Sequence, residues 1–245
     1  GNLRISSADI SGWTLTKLRE FLSARLAMMG WVGDYPLLVG VWDQNVITSP
    51  SVQMTIPHPR DGAPASLGVF EQAVKGNVAE FIGAAPAILP KALIALLEAE
   101  ATSIATVLQG LGYYGACSFD AVLTGDRDEA IQKANIHWIE CNGRWTGVSI
   151  PFCAAIALLG FQPPGFVIMQ DRLSNSLDTD QVTDRLGDLL FRSGAAEGVM
   201  LVAPPSLDAN PVLVLAAIGH DQQSAESIAA EALHRLDGNP LETFR

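Results

Sequence analysis

Apolar residues recur at helical spacing in two long segments of the chain. Over 14–29, Leu15, Leu18, Phe21, Leu22 and Leu26 share one helix face behind a Thr N-cap, and Gly30 ends the run. Over 90–109, Leu93, Leu96, Leu97, Ile104, Val107 and Leu108 do the same, with Pro90 suited to the first turn and Gly110 to the end. Between these helices the pattern shifts toward alternation, which predicts strands over 36–42, 51–56 and 67–74. The turn-rich stretch HPRDGAPAS separates the last two, so this part reads as an antiparallel meander.

After the GLGYYG turn, strands over 117–123 and 136–142 flank a polar loop over 124–135 and are expected to pair as a long-looped hairpin. An apolar helix follows over 151–159. Pro163, Pro164 and Gly165 mark a domain boundary, dividing the chain into 1–162 and 163–245. The second part reads as strand 166–170, helix 179–191, strands 198–203 and 212–218, and helix 225–236, with Asp180 and Ser224 as helix caps. It holds no glycine-rich phosphate loop, and His220 with Asp221 reads as a strand-end turn. The expected class is α+β.

Composition narrows the partners. The 245 residues are 49% hydrophobic, enough for a sizeable core, and 15 Lys+Arg against 26 Asp+Glu leave a net charge of -11. That charge repels phosphate backbones and anionic lipid alike, so neither nucleic acid nor a membrane is expected as a partner. No apolar run is expected to reach the ~20 residues of a spanning helix, and the N-terminus lacks a secretory pattern. Three cysteines, Cys117, Cys141 and Cys153, form no CxxC, which argues against a disulfide framework or zinc site and for a cytoplasmic setting. Cys117 and Cys141 are expected on neighbouring strands, as core thiols.

The candidate chemistry lies in HWIECNGR. Strand alternation is expected to project Trp138, Glu140 and Asn142 to one face, with Ile139 and Cys141 on the other. Ser118, Asp120 and Val122 share a face of the preceding strand, so one of its two pairing registers aims Asp120 at Glu140. Two carboxylates and an amide oxygen would then form the oxygen-only, partly filled ligand set that Mg²⁺ takes when phosphates and water supply the rest. The alternative from the residues alone is a strand end with a solvated Glu and an Asn in a turn.

The strings GLGYYGACSFDAVL and IHWIECNGRWTGVSIPF resemble the closing segment of ATP-grasp ligases. Together with SPSVQ, the wording ECNGRWTGVSIP is most similar to the carboxylate-amine or peptide ligases of the pheganomycin type, over roughly 37–152. The resemblance implies an ATP-grasp C-terminal subdomain, an antiparallel sheet with flanking helices, followed by a small α/β unit. It implies ATP and Mg²⁺ as cofactors, with Asp120, Glu140 and Asn142 on the metal. Arg144 would contact the γ-phosphate or an acyl-phosphate, and Thr146, Gly147 and Ser149 would form the turn that holds a carboxylate or oxyanion.

The family's adenine-reading hinge falls on 38–43, with Val41 and Trp42 as the contacts, although Gly40, Val41 and Trp42 replace its usual acidic residue. Gln53 and Gln72 are expected to point toward the same region. The implied reaction joins a small-molecule carboxylate to an amine or peptide through an acyl-phosphate. The family also uses a glycine-rich loop and a lid lysine, and neither Lys17 nor Lys75 stands in their place. The chain is therefore expected to act as the back portion of such an enzyme, inactive alone and completed by an N-terminal half or by dimerisation. The alternative is a non-catalytic nucleotide- or metal-binding module, or an assembly module.

Overall fold

Alternating segments from Val46 to Gly219 join one sheet. A computed structural model describes residues 3–33, 36–37, 39–76, 80–126, 131–172, 177–203 and 212–237. Its elements are α1 (Leu15–Met28), β1 (Val46–Thr48), β2 (Pro50–Ile56), β3 (Ala65–Lys75), β4 (Glu80–Pro86), α2 (Lys91–Gly110), β5 (Gly115–Thr124), β6 (Asn135–Asn142), α3 (Ser149–Leu159), β7 (Gly165–Arg172), α4 (Thr179–Leu186), β8 (Gly198–Ala203), β9 (Val212–Gly219) and α5 (Gln222–Asp237). The sheet runs β6, β5, β2, β3, β4, β7, β9, β8, with β1 continuing β2 along the same edge of β5.

Alternation assigns the two faces. On one, Val52, Met54 and Ile56 of β2 and Cys117, Phe119, Ala121 and Leu123 of β5 pack on Leu93, Leu97, Ala101 and Ala105 of α2. Farther along that face, Val167 and Met169 of β7 and Leu213, Leu215 and Ala217 of β9 meet α4 and α5. On the other face, Phe70, Ala84, Phe166, Ile168, Ala216 and Ile218 pack on Val148, Phe152 and Ala155 at α3. Several residues of β2 and β5 that share this second face are polar: Ser51, Gln53 and Ser118 are buried, and Asp120 is half-buried.

Several expectations are corrected. The boundary at Pro163 does not separate the sheet, because β7 begins at Gly165 and pairs with β4 through Gly83↔Met169 and Ala84↔Ile168. By contacts the chain divides instead into residues 1–44 with 75–80, and residues 45–74 with 81–245. The strand expected over 36–42 is absent from the described residues there, where Val39 and Val41 are exposed with no pairing partner to extend them. Leu38 lies outside the described residues. β4 is unforeseen, because EFIGAAP does not alternate; it is a central strand with neighbours on both sides.

α1 starts behind Thr14 as expected, but none of its residues is fully buried. α4 stops at Leu186 and passes into a 3₁₀ turn, Gly187–Leu189, which frees Leu190 to bridge Val199 of β8. The helix caps are Asp178, whose carboxylate accepts from Gln181 N, and Asp221, which accepts from Ser224 N; Asp180 and Ser224 lie two and three residues farther in. Among the described helices α2 alone has the length and hydropathy of a membrane span, longer than the 151–159 run singled out from the sequence. Its Glu98 accepts from Ser66 and its Glu100 from Trp138, so both carboxylates are tied to the sheet side.

Gly165 and Gly219 are directly paired at the ends of β7 and β9. A Cβ on Gly165 would lie 1.8 Å from Asp221 O, and one on Gly219 would lie 2.3 Å from Ala225 N. Only residues without a side chain let the first turn of α5 come so close.

Candidate functional site

The β5–β6 register brings Asp120 opposite Glu140 and Ser118 opposite Asn142. Directly opposed residues of an antiparallel pair point to the same face, so both carboxyl groups and the amide share one surface. The register then shifts: Ala121 opposes Trp138, which leaves Ile139 as an extra residue on β6. This bulge reverses the expected facing of Trp138. Its ring packs edge-on to Phe119 on the α2 side, and Nε1 donates to Glu100 Oε2 at 2.8 Å. Glu140 and Trp138 therefore occupy opposite faces, because one inserted residue breaks the two-residue period.

A hydrogen-bonded chain holds the carboxylate of Asp120. Ser51 Oγ donates to Asp120 Oδ1 at 2.6 Å, and Gln53 Nε2 donates to Ser51 Oγ at 2.8 Å. Asn142 Nδ2 donates to Asp120 Oδ2 at 3.1 Å, while Asn142 Oδ1 accepts from Arg144 Nη2 at 3.1 Å. Burial pushes the Asp120 carboxyl above its ordinary value; hydrogen bonds from Ser51 and Gln72 oppose that, and the neighbouring Glu140 carboxyl adds to it. Among the described residues neither Asp120 nor Glu140 forms an ion pair. A half-buried carboxyl beside a second one, without a protein cation, is an environment that a divalent cation would relieve.

The turn between β6 and α3 is cross-tied. Thr146 Oγ1 accepts from Ser149 N at 3.1 Å and from Val148 N at 3.3 Å, and Ser149 Oγ accepts from Thr146 N at 2.8 Å. Thr146 Oγ1 also donates to Gln53 Oε1 at 3.0 Å, which links this turn to the Ser51–Asp120 chain. Ser149 is buried, Gly147 and Arg144 are exposed, and the Arg144 guanidinium also reaches Trp145 O at 3.2 Å. Polar groups from β2, β5, β6 and the turn before α3 thus form one continuous network.

Val41 and Trp42 belong to the smaller unit, residues 1–44 with 75–80. Val41 is exposed, and the Trp42 ring lies under the Arg4 guanidinium, 4.6 Å from it. Ser51 is the member of the network that sequence reasoning missed. Its signal was its place two residues before Gln53 on an alternating strand, which puts both on one face. Cys117 and Cys141 do lie on neighbouring strands, with sulfurs 3.8 Å apart, but Cys141 is exposed rather than in the core. Burial and the adjacent Cys141 push the Cys117 thiol up to about 12.

No protein-family model matches the chain, and no curated protein matches it either. Solved structures do. Biotin carboxylase from Campylobacter jejuni, in a β-γ-ATP complex, superposes with a TM-score of 0.60 over 90% of this chain at 15% identity. N5-carboxyaminoimidazole ribonucleotide synthetase from Thermus thermophilus gives 0.54 over 92% at 17% identity. The chain has the ATP-grasp fold. The biotin carboxylase domain of Hydrogenobacter thermophilus 2-oxoglutarate carboxylase, a complex with MgADP, ADP and bicarbonate, shares the fold with a TM-score of 0.58 over 89% of this chain at 13% identity. The present chain spans 52%, 59% and 51% of these three ATP-grasp chains, in that order. At such identities the likeness is one of fold, and the expected α+β class with an antiparallel, helix-flanked sheet agrees with it.

Proposed function

We propose that this chain carries the metal- and phosphate-binding end of an ATP-dependent carboxylate ligase. The observation behind the proposal is the cross-strand pairing of Asp120 with Glu140 beside the Asn142 amide, inside an ATP-grasp fold. These oxygens suit a hard divalent cation, and Asp120, Glu140 and Asn142 would hold Mg²⁺. When bound, Mg²⁺ would neutralise phosphate oxygens of ATP, whose charge the acidic surroundings otherwise repel. Solved structures of the same fold are described with ATP or with MgADP and bicarbonate, which supports a nucleotide and a carboxylate-like substrate here.

In the finer form of the proposal, the substrates are a small carboxylate and an amine or peptide, joined as an amide by way of an acyl-phosphate, as in the pheganomycin type. Arg144 is exposed two residues beyond Asn142, and its planar fork suits phosphate or acyl-phosphate oxygens. The Thr146–Ser149 turn includes the exposed Gly147, which has no side chain of its own to stand between its backbone N–H and a carboxylate or oxyanion. Thr146 and Ser149 would hold that turn through their mutual bonds, and Val41 and Trp42 would contribute to the adenine site. Turnover is proposed to require the part of the fold that the longer neighbours carry, from a front half or a second subunit. A cytoplasmic setting belongs to the same proposal, since ATP is the co-substrate.

The test is calorimetric titration of the chain with Mg²⁺ and a non-hydrolysable ATP analogue, beside Glu140→Gln and Asp120→Asn. Metal-dependent nucleotide binding that weakens at least tenfold in both variants is the expected result. Equal affinity in wild type and Glu140→Gln would overturn the metal assignment. Binding without ligation, when the chain is combined with an N-terminal half of an ATP-grasp enzyme, would favour a non-catalytic nucleotide module.

A further inference from the structure

Cys117 and Cys141 form a thiol pair whose position ties it to the metal-binding strand. Their sulfurs are 3.8 Å apart, Cys117 is buried at 1% exposure, and Cys141 is exposed on β6. Among the described strands β6 pairs with β5 alone and so lies at an edge, and it already carries the bulge at Ile139. Cys141 opposes Phe119, which makes Cys117 its diagonal neighbour, two residues along β5. Diagonal Cα atoms stand ~7–8 Å apart. A disulfide holds them at roughly 4.4–6.8 Å. Closing the pair therefore requires the end of β6 to move along β5, and the flanking residues Glu140 and Asn142 must move with Cys141.

We propose that Cys141 is a redox modification site, with Cys117 as its resolving sulfur, and that disulfide formation shifts Glu140 and Asn142 relative to Asp120. The oxidant is a small-molecule disulfide. The Cys141 sulfur, having given its proton to solvent, attacks one sulfur of the oxidant; a mixed disulfide forms and one small thiolate leaves. The adduct on Cys141 parts the end of β6 from β5 and uncovers Cys117, whose sulfur then gives its proton to solvent, attacks Cys141 Sγ and expels the second small thiolate. Two cysteine thiols are oxidised by two electrons, and one disulfide is reduced to two thiols. Exposure decides the order, because only Cys141 is open to the reagent. The coupling to metal binding rests on the ligase proposal above, whereas the thiol chemistry and the strand shift do not.

The chain is incubated with oxidised glutathione in a Cys153→Ala background, then digested without reduction and weighed. The expected product has lost two hydrogens and yields a Cys117–Cys141 linked peptide, with a glutathione adduct trapped at Cys141 in Cys117→Ala. Amide hydrogen exchange over 140–144 is expected to quicken at least threefold on oxidation and to return with dithiothreitol. Absence of the linked peptide at full glutathione exposure would overturn the proposal, as would a linked peptide with unchanged exchange. Cys141→Ser, altered only at an exposed position, is expected to show neither change. If the reduced chain binds Mg²⁺ and nucleotide, oxidation should weaken that binding at least tenfold, and undiminished binding by the oxidised form would overturn the proposed displacement. If the reduced chain binds neither, the ligase proposal fails while the mass and exchange measurements still decide the thiol pair.

Discussion

Ser51 Oγ on β2 donates to Asp120 Oδ1 on β5 at 2.6 Å, and the two residues are direct cross-strand partners. The hydroxyl also accepts from Gln53, so it both orients the carboxylate and passes its position on toward Thr146. In the proposed function, where Asp120 holds Mg²⁺, Ser51 sets metal affinity without touching the ion.

Ser51→Ala is accordingly expected to weaken Mg²⁺-dependent nucleotide binding by roughly 10–100-fold. The fold should survive, at a cost of about 1 kcal/mol for the lost hydrogen bond. Titration calorimetry and urea denaturation check the two halves, and an unchanged affinity would remove Ser51 from the site.

Two small substitutions separate backbone crowding from helix propensity. Gly165→Ala puts a methyl 1.8 Å from the Asp221 carbonyl oxygen, so β7 and α5 must part, and the unfolding midpoint should fall clearly. Gly110→Ala, at the end of α2 with nothing within 4 Å, should be neutral or stabilising by ~0.4–1 kcal/mol. A Gly165→Ala protein as stable as wild type would contradict the close approach.

Leu97 is fully buried between α2 and the sheet. Leu97→Ala should cost about 2–5 kcal/mol in urea denaturation, from lost burial plus the cavity left behind. A cost below about 1 kcal/mol would mean that α2 does not pack there as described.

His220 Nδ1 lies 3.0 Å from Glu197 Oε2, which also accepts from Ser224 Oγ. The bond to Glu197, and then the charge of Asp221, raise the His220 pKa above 6.5; bonds from His220 and Ser224 lower that of Glu197 below 4.5. The histidine's contribution is complete below 6.5 and is lost as pH rises through its folded value, while the glutamate's is complete above 4.5 and is lost as pH falls through its folded value. Both groups are exposed, so the effect is small. Between about pH 5.5 and 8.5 wild type should lose slightly more thermal stability than His220→Gln, and parallel pH profiles would rule the pair out.

Much of the site is legible because strand alternation has a fixed period. Spacing alone places Ser118, Asp120 and Val122 on one face, and SPSVQ carries Ser51 and Gln53 on the face that meets them. The error at Trp138 has a specific cause: alternation holds only while the ladder is regular, and nothing in HWIECN announces that Ile139 is passed over in the pairing. The missing strand over 36–42 and the unforeseen β4 share another cause. Apolar runs are read as strands when they alternate, whereas what makes a strand is a neighbour with free backbone groups to bond.

Local sequence by itself determined where α1 and α2 start and which residues of β2 and β5 share a face. Those are consequences of side-chain period and capping, both properties of short stretches. Tertiary structure alone decided which of two registers brought Asp120 to Glu140, that β7 continues the sheet past Pro163, and that Cys117 sits diagonally beside Cys141. Each depends on which distant strand offers its hydrogen bonds, and a residue's neighbours in sequence carry no record of that choice.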